Sequence, residues 1–214
     1  MIHHKIAVIG GTGKSGVYVV RHLLEKGYVL KLLLRQPNRL TIHHEQVEVL
    51  VGDARDYQSV YTLVAGCEAV ISTLGQPKGE RSIFSDATTN VIKAMEACGI
   101  SRYLVTTGLS VDVPGDQKSD SVKAATAWMY AHYPETTTDK QREYELLEES
   151  KLDWTMVRLP LIQQTNQQHS TEANPINCAG DSIGAADLAS FLVSALEEHR
   201  FIRASPFLYD RQVP

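Results

Sequence analysis

Two apolar patterns alternate along this chain: short runs that are almost continuous, and stripes that recur every three to four residues. The runs at 6–9, 29–34, 47–51, 69–72, 103–107 and 154–158 are rich in valine, isoleucine and leucine. Strands of a parallel sheet, buried on both faces, read this way. The stripes are Val17, Val20, Leu23 and Leu24; Val60, Leu63 and Val64; Ala87, Val91, Ala94 and Met95; and Leu188, Leu192 and Leu196. They predict helices closed by Gly27, Gly66 and Gly99, and a last helix over 185–198. A further helix is predicted over 138–149, with Leu146 and Leu147 on one face and charges on the other. Between 111 and 137 the pattern weakens, and only 121–133 suits a helix. Residues 163–177 hold almost nothing apolar and read as an exposed loop, and 207–209 as a short final strand. Strand and helix alternate throughout, which predicts an α/β fold with a doubly wound parallel sheet. No repeat or composition shift divides the chain, so one domain is expected over 1–214. Its substrate-side loops fall around 108–137 and 161–182.

The first strand runs directly into Gly10-Gly11-Thr12-Gly13-Lys14-Ser15-Gly16, and helical spacing follows at once. Gly10 permits a turn closed to residues with a Cβ, Gly13 lets backbone N–H groups approach a pyrophosphate, and Gly16 lets helix pack on strand. A helix N-terminus is where a phosphate is held. Strand, glycine turn and helix in that order predict dinucleotide binding and an NAD(P)-binding Rossmann fold. The spacing does not suit an ATPase phosphate loop, whose first glycine stands five residues before the Gly-Lys-Ser.

The residue that ends the second strand faces the adenosine ribose in such folds. An acidic side chain there selects NAD; this chain has Arg35, with Arg39 four residues on. A guanidinium forks onto a phosphate, so NADP(H) is preferred over NAD(H). Asp53, just past the third strand, either accepts from the adenine amino group or caps the helix that starts near Asp56. Thr73, Leu74 and Gly75 follow the fourth strand and are expected near the nicotinamide half. Trp128, Met129, Tyr130 and Tyr133 either pave a pocket for a flat ring or pack their own helix. Lys140 falls in the first turn of the helix predicted at 138–149, where the dipole disfavours a cation, and that misfit points to another role.

The 214 residues carry a net charge of −4 without a dense basic stretch, so nucleic acid is not an expected partner. No apolar run reaches the roughly 20 residues of a membrane span, and the first strand leaves no room for a signal peptide. The expected location is cytoplasmic. Cys67, Cys98 and Cys178 are too few and too scattered for a disulfide framework or zinc site. His3-His4 and His43-His44 point to opposite faces of an extended chain and read as surface histidines, so no metal is expected.

With these residues laid out, the chain resembles the atypical short-chain dehydrogenases/reductases of the NAD(P)-binding NmrA-like group, and most of all the flavin reductase/biliverdin-IXβ reductase type. The matching stretches include GGTGKSG at 10–16, LLLRQPNRL at 32–40, VGDARD at 51–56, RYLVTTGLS at 102–110 and LLEESKLDWTMVRLP at 146–160. The resemblance implies that Thr12, Gly13, Lys14, Ser15 and Gly16 hold the pyrophosphate and that Arg35 and Arg39 hold the 2′-phosphate. It implies Asp53 and Ala54 at the adenine, Thr73 to Gly75 at the inner ribose, and Thr106 and Thr107 near the nicotinamide. Ser110 matches a serine beside the reacting ring in that reductase type.

Typical members of the superfamily use Tyr-x-x-x-Lys, but four residues before Lys140 stands Thr136. The flavin and biliverdin reductase type works without the tyrosine, passing hydride straight to an electron-poor ring. The implied function is an NADPH-dependent oxidoreductase reducing a planar conjugated small-molecule acceptor (flavin, quinone or tetrapyrrole), with Ser110 and Lys140 as the catalytic candidates. The alternative is a non-catalytic NADP(H)-binding redox sensor of the NmrA type, for which a protein partner is expected; the short C-terminal region weighs against it. A sugar-nucleotide epimerase or dehydratase needs the tyrosine and a larger C-terminal domain.

Overall fold

The computed structural model describes residues 4–211. Its central sheet has eight strands in the order β3-β2-β1-β4-β5-β6-β10-β8. In chain order the strands are β1 (Lys5–Ile9), β2 (Val29–Leu34), β3 (Val47–Val51), β4 (Ala69–Ser72), β5 (Arg102–Gly108), β6 (Asp153–Leu159), β7 (Leu161–Gln163), β8 (Thr171–Asn174), β9 (Ser182–Gly184) and β10 (Phe207–Asp210). The helices are α1 (Gly16–Glu25), α2 (Tyr57–Val64), α3 (Phe84–Cys98), α4 (Asp120–His132), α5 (Pro134–Glu149) and α6 (Ala185–Glu197). Seven strands run parallel, and β8 pairs antiparallel with β10 at the edge.

Period-two alternation sends the side chains of β1 to opposite faces, and both faces are buried. Ile6 and Val8 pack with Val19 and Leu23 of α1 and Leu192 of α6. Ala7 and Ile9 pack with Leu63 of α2, Val91 of α3 and Leu147 of α5. Both faces being dry explains why the central strands read as unbroken apolar runs. Ile9 lies level with Leu33 of β2 and with Ser72 of β4, so three strands end together where the strand order reverses. That switch point is where open α/β sheets place their crevice.

Three expectations are corrected. Residues 163–177 are not simply a loop, because Thr171–Asn174 forms the edge strand β8, with Ala173 opposite Leu208. An edge strand pairs through backbone and keeps polar side chains, so the apolar pattern is silent there. Nearby, β7 and β9 form a second, two-stranded sheet. Helix α5 begins at Pro134, whose missing N–H suits a first helical position. Lys140 therefore lies in the second turn, and the dipole misfit read from the sequence does not exist. Nor are the charges of α5 confined to its outer face, since Glu143 is buried beside Tyr144 and Leu147.

Candidate active site

The crevice at the C-terminal ends of β1, β2, β4 and β5 is a cavity of about 880 Å³. Its floor is the glycine turn. Gly10 has φ +80°, and a Cβ there would fall 2.6 Å from the Thr73 carbonyl oxygen. A Cβ on Gly16 would fall 2.0 Å from the Gly10 oxygen, so backbone passes over backbone with no room for a side chain. The Gly13 N–H donates to Gly10 O at 2.9 Å, closing the turn. No side chain caps the start of α1, whose Ncap is Ser15. Val17 N–H donates to Gly13 O at 3.3 Å, and Tyr18 and Val19 N–H donate to Ser15 O at 3.1 and 3.2 Å. The helix start turns the dipole's positive pole to the cavity. A cradle closed to any Cβ, beneath an uncapped helix start, fits the pyrophosphate of a dinucleotide.

Gly10, Thr12, Gly13, Lys14 and Ser15 line this end, and Gly16 opens the helix behind them. Arg35, Asp53 and Ala54 line the end by β2 and β3; Thr73, Leu74 and Gly75 the middle; and Thr106, Thr107 and Lys140 the far end. The Arg39 side chain and His3 lie outside the described residues. Ser110 is not on the wall: it is buried behind Gly108, and its Oγ has no hydrogen-bond partner. Both Ser110 Oγ and Lys140 Nζ lie 3.7 Å from where a Gly108 Cβ would stand. The two candidate groups thus converge on one glycine from different elements.

Of the two readings of Asp53, capping is overturned. Asp56 is the cap, accepting from Ser59 N–H at 2.8 Å. Asp53 instead takes a fork from Arg55, with Nε at 3.0 Å and Nη2 at 2.6 Å. That guanidinium holds the Asp53 carboxyl below the usual carboxylate range. The other face of the Arg55–Arg35 pair is taken by Glu80, from the β4–α3 loop. Its Oε1 lies 2.7 Å from Arg35 Nη1 and its Oε2 2.8 Å from Arg55 Nη1. The sequence reading found neither Arg55 nor Glu80, because the contacts join segments about 25 and 45 residues apart.

At the far end Lys140 has no hydrogen-bond or ion-pair partner among the described residues. Its Nζ sits over the Phe84 ring at 4.8 Å. Burial pushes its pKa down, opposed by the charge of Glu143 one turn along. Burial in turn pushes the Glu143 carboxyl up to about 7, against a hydrogen bond from Thr88 and the Lys140 charge. Ile83, Leu159, Leu161 and Ile162 add apolar surface to the cavity lining. No tyrosine lines the cavity among the described residues. Tyr133 is exposed and packs edge-on against Trp128, which stacks on His132. The aromatic group around α4 therefore packs its own helix surface and does not line this cavity. His169, Asp187 and Asp210 converge elsewhere. Their carboxylates accept from the N–H groups of His169 and Gly184, at 3.1 and 3.3 Å, and act as backbone ties.

A family model described as NAD(P)H-binding matches residues 10–199, and the chain belongs to that family. It is 27% identical over 124 residues to a 3-beta-hydroxysteroid dehydrogenase of Mycolicibacterium neoaurum, covering 52% of this chain and 34% of that one. The chain thus spans about a third of the length of such curated relatives. Among solved structures it resembles a short-chain dehydrogenase/reductase of Veillonella parvula in complex with NADP (TM-score 0.79, 19% identity, 98% of this chain and 95% of that one). It also resembles ChuY, an anaerobillin reductase of Escherichia coli O157:H7 (TM-score 0.80, 20% identity, 98% of each chain). At such identities these two likenesses establish the fold. No helix among the described residues is long and apolar enough to cross a membrane.

Proposed function

We propose that this protein is an NADPH-dependent reductase of the atypical short-chain dehydrogenase/reductase type, acting on a planar conjugated small molecule such as a flavin, quinone or tetrapyrrole. The observation that carries the reading is the Lys140 amine beside Gly108, without a hydrogen-bond or ion-pair partner among the described residues, in a cavity whose lining includes apolar side chains and no tyrosine. When bound, the reduced nicotinamide supplies the hydride. The chain's own residues do the rest. The glycine turn and the start of α1 hold the pyrophosphate, and Arg35 with Arg39 takes the 2′-phosphate. Ile83, Leu161 and Ile162 exclude water from one face of a flat acceptor. Lys140 polarises the acceptor's electron-poor end, the buried Ser110 hydroxyl supports it from behind Gly108, and the proton is drawn from solvent. The likeness to ChuY, an anaerobillin reductase, supports a conjugated acceptor.

The test is NADPH oxidation with purified protein and a panel of FMN, FAD, a quinone and biliverdin. Turnover that depends on one of these acceptors is the expected result. The missing tyrosine equally favours a redox sensor, and NADP and NADPH bound tightly without turnover would establish that reading instead. The cofactor preference has its own check: Arg35→Ala should weaken NADPH binding far more than NADH binding, and equal losses would remove the 2′-phosphate role.

A further inference from the structure

Four charged groups at the proposed adenosine end pair among themselves. Arg35 comes from the end of β2, Asp53 and Arg55 from the β3–α2 loop, and Glu80 from the β4–α3 loop. Two carboxylates and two guanidiniums balance, and the Glu80 carboxylate bridges both guanidiniums by one oxygen each. Arg55 keeps Nε and Nη2 on Asp53, so its Nη1 and the Arg35 Nη1 form a two-pronged anion site that Glu80 fills.

We infer that Glu80 is an internal stand-in for the 2′-phosphate, and that Arg55 is a second guanidinium of that subsite, unmasked when Glu80 leaves. This rests on the proposed NADPH preference. A phosphate and a carboxylate cannot share the two prongs, because like charges at contact distance repel and each guanidinium edge is used once. The exchange needs only a side-chain rotation. The Gln76 amide pins the loop by donating to the carbonyls of Pro77, Glu80 and Arg81 at 3.2, 2.8 and 3.1 Å. Asp139 of α5 holds the loop's far end through Ser82 Oγ at 2.6 Å and Phe84 N–H at 2.7 Å. The Glu80 backbone is thus anchored while its side chain, 36% exposed, is held by the two guanidiniums. NADH has no 2′-phosphate to displace it, so Glu80 opposes NADPH alone. It lowers the discrimination that Arg35 and Arg55 would otherwise give.

The experiment is calorimetric titration of NADPH and NADH into the wild-type protein, Glu80→Gln, Arg55→Ala and Arg35→Ala, with no acceptor present. Competition with an exposed ion pair predicts that Glu80→Gln tightens NADPH by about two- to fivefold and leaves NADH unchanged. Arg55→Ala should weaken NADPH more than NADH. Unchanged or weaker NADPH binding in Glu80→Gln, beside an intact Arg35-dependent preference for NADPH, would overturn the stand-in and leave the cofactor reading standing. A loss confined to NADH would also overturn it, making Glu80 an acceptor for ribose hydroxyls. No NADPH preference in the wild type, with equal losses in Arg35→Ala, would remove both. Glu80→Ala repeats the test without an amide that still bonds Arg35.

Discussion

The Thr88 hydroxyl of α3 donates to Glu143 Oε1 of α5 at 2.8 Å, and the other carboxyl oxygen of Glu143 has no partner. The groups that face this carboxyl are Thr88, Lys140, Asp139 and, through Thr88 at 3.4 Å, the Tyr103 hydroxyl. One hydrogen bond does not replace the solvation of a full charge, so the neutral acid is favoured and its pKa rises from 4.5 to about 7.

The sign of the resulting pH dependence is fixed. Between the unfolded and folded values the native state holds a proton that the unfolded chain has lost. Stability from this group is therefore full below about pH 4.5 and falls as pH rises through 7. The whole effect is on the order of 3 kcal/mol. Glu143→Gln keeps the shape and removes the titration. Its melting temperature should exceed that of the wild type at pH 8, and the gap should close towards pH 5. Parallel melting curves at both pH values would show that Glu143 is ionised in the fold.

A second buried charge is fully paired, and the expected response is opposite. Arg158 of β6 is shut off from solvent, with Nη1 2.6 and 2.8 Å from the two oxygens of Asp116. It also donates to the carbonyls of Ser205 and Pro175 and lies flat on Phe207, 3.6 Å from the ring centre. Asp116→Ala leaves a buried guanidinium with carbonyl partners but no counter-charge and should cost about 3–5 kcal/mol in urea denaturation. The loop that carries Ser110 is held by the same pair, through Val111 O to Arg158 at 3.2 Å and to Lys118 at 3.0 Å. The variant should therefore also lose affinity for the acceptor at temperatures where it remains folded.

Where burial is two-sided, the fold was legible: the limits of β2 and β4 follow from their apolar runs to the residue. The limits of β3 follow too, although the two-sided burial its run implies does not hold, since β3 is an edge strand with none of its residues buried. It was hidden where backbone does the pairing, as in β8, whose residues Thr-Glu-Ala-Asn carry no pattern. The cofactor cradle was legible because its demand is steric and local, with glycines three apart at 10, 13 and 16. The Arg55–Glu80 contact depends on tertiary placement and left no local mark. Lys140 drew attention for a reason that fails, its supposed place in a first turn. A better signal was present in the spacing. Thr137, Lys140, Glu143, Tyr144 and Leu147 recur at three and four residues, which sets two charges on the stripe that a helix turns to the core.

The glycine cradle yields a paired prediction. Gly16→Ala places a methyl 2.0 Å from the Gly10 oxygen, which belongs to the backbone and cannot rotate away. Overpacking of this kind costs about 1–3 kcal/mol, and here it also lifts α1 off the turn that meets the pyrophosphate. A lower melting temperature and loss of NADPH binding by calorimetry are expected together. At Gly75 a Cβ would meet nothing within 4 Å, so Gly75→Ala should melt like the wild type. If both variants melt normally, the close approach of α1 to the turn is not what the glycine serves.

The chemistry rests on Lys140, whose pKa is lowered by burial while its amine faces the crevice beside Gly108. Polarising an acceptor needs the ammonium form, which is lost as pH rises through that lowered pKa. Acceptor-dependent turnover should fall at alkaline pH, on the acid side of where an ordinary lysine titrates near 10.4. Lys140→Met removes the charge, and electrostatic groups of this kind are worth about 100-fold in turnover. NADPH affinity should change little, because the pyrophosphate and 2′-phosphate are held at the other end of the cavity. Lys140→Arg keeps a cation that does not titrate in this range, so it should retain part of the turnover and lose the alkaline fall. If Lys140→Met and Lys140→Arg both follow the wild-type profile, the amine does not touch the reaction, and the apolar side chains of the lining and the bound nicotinamide suffice for it.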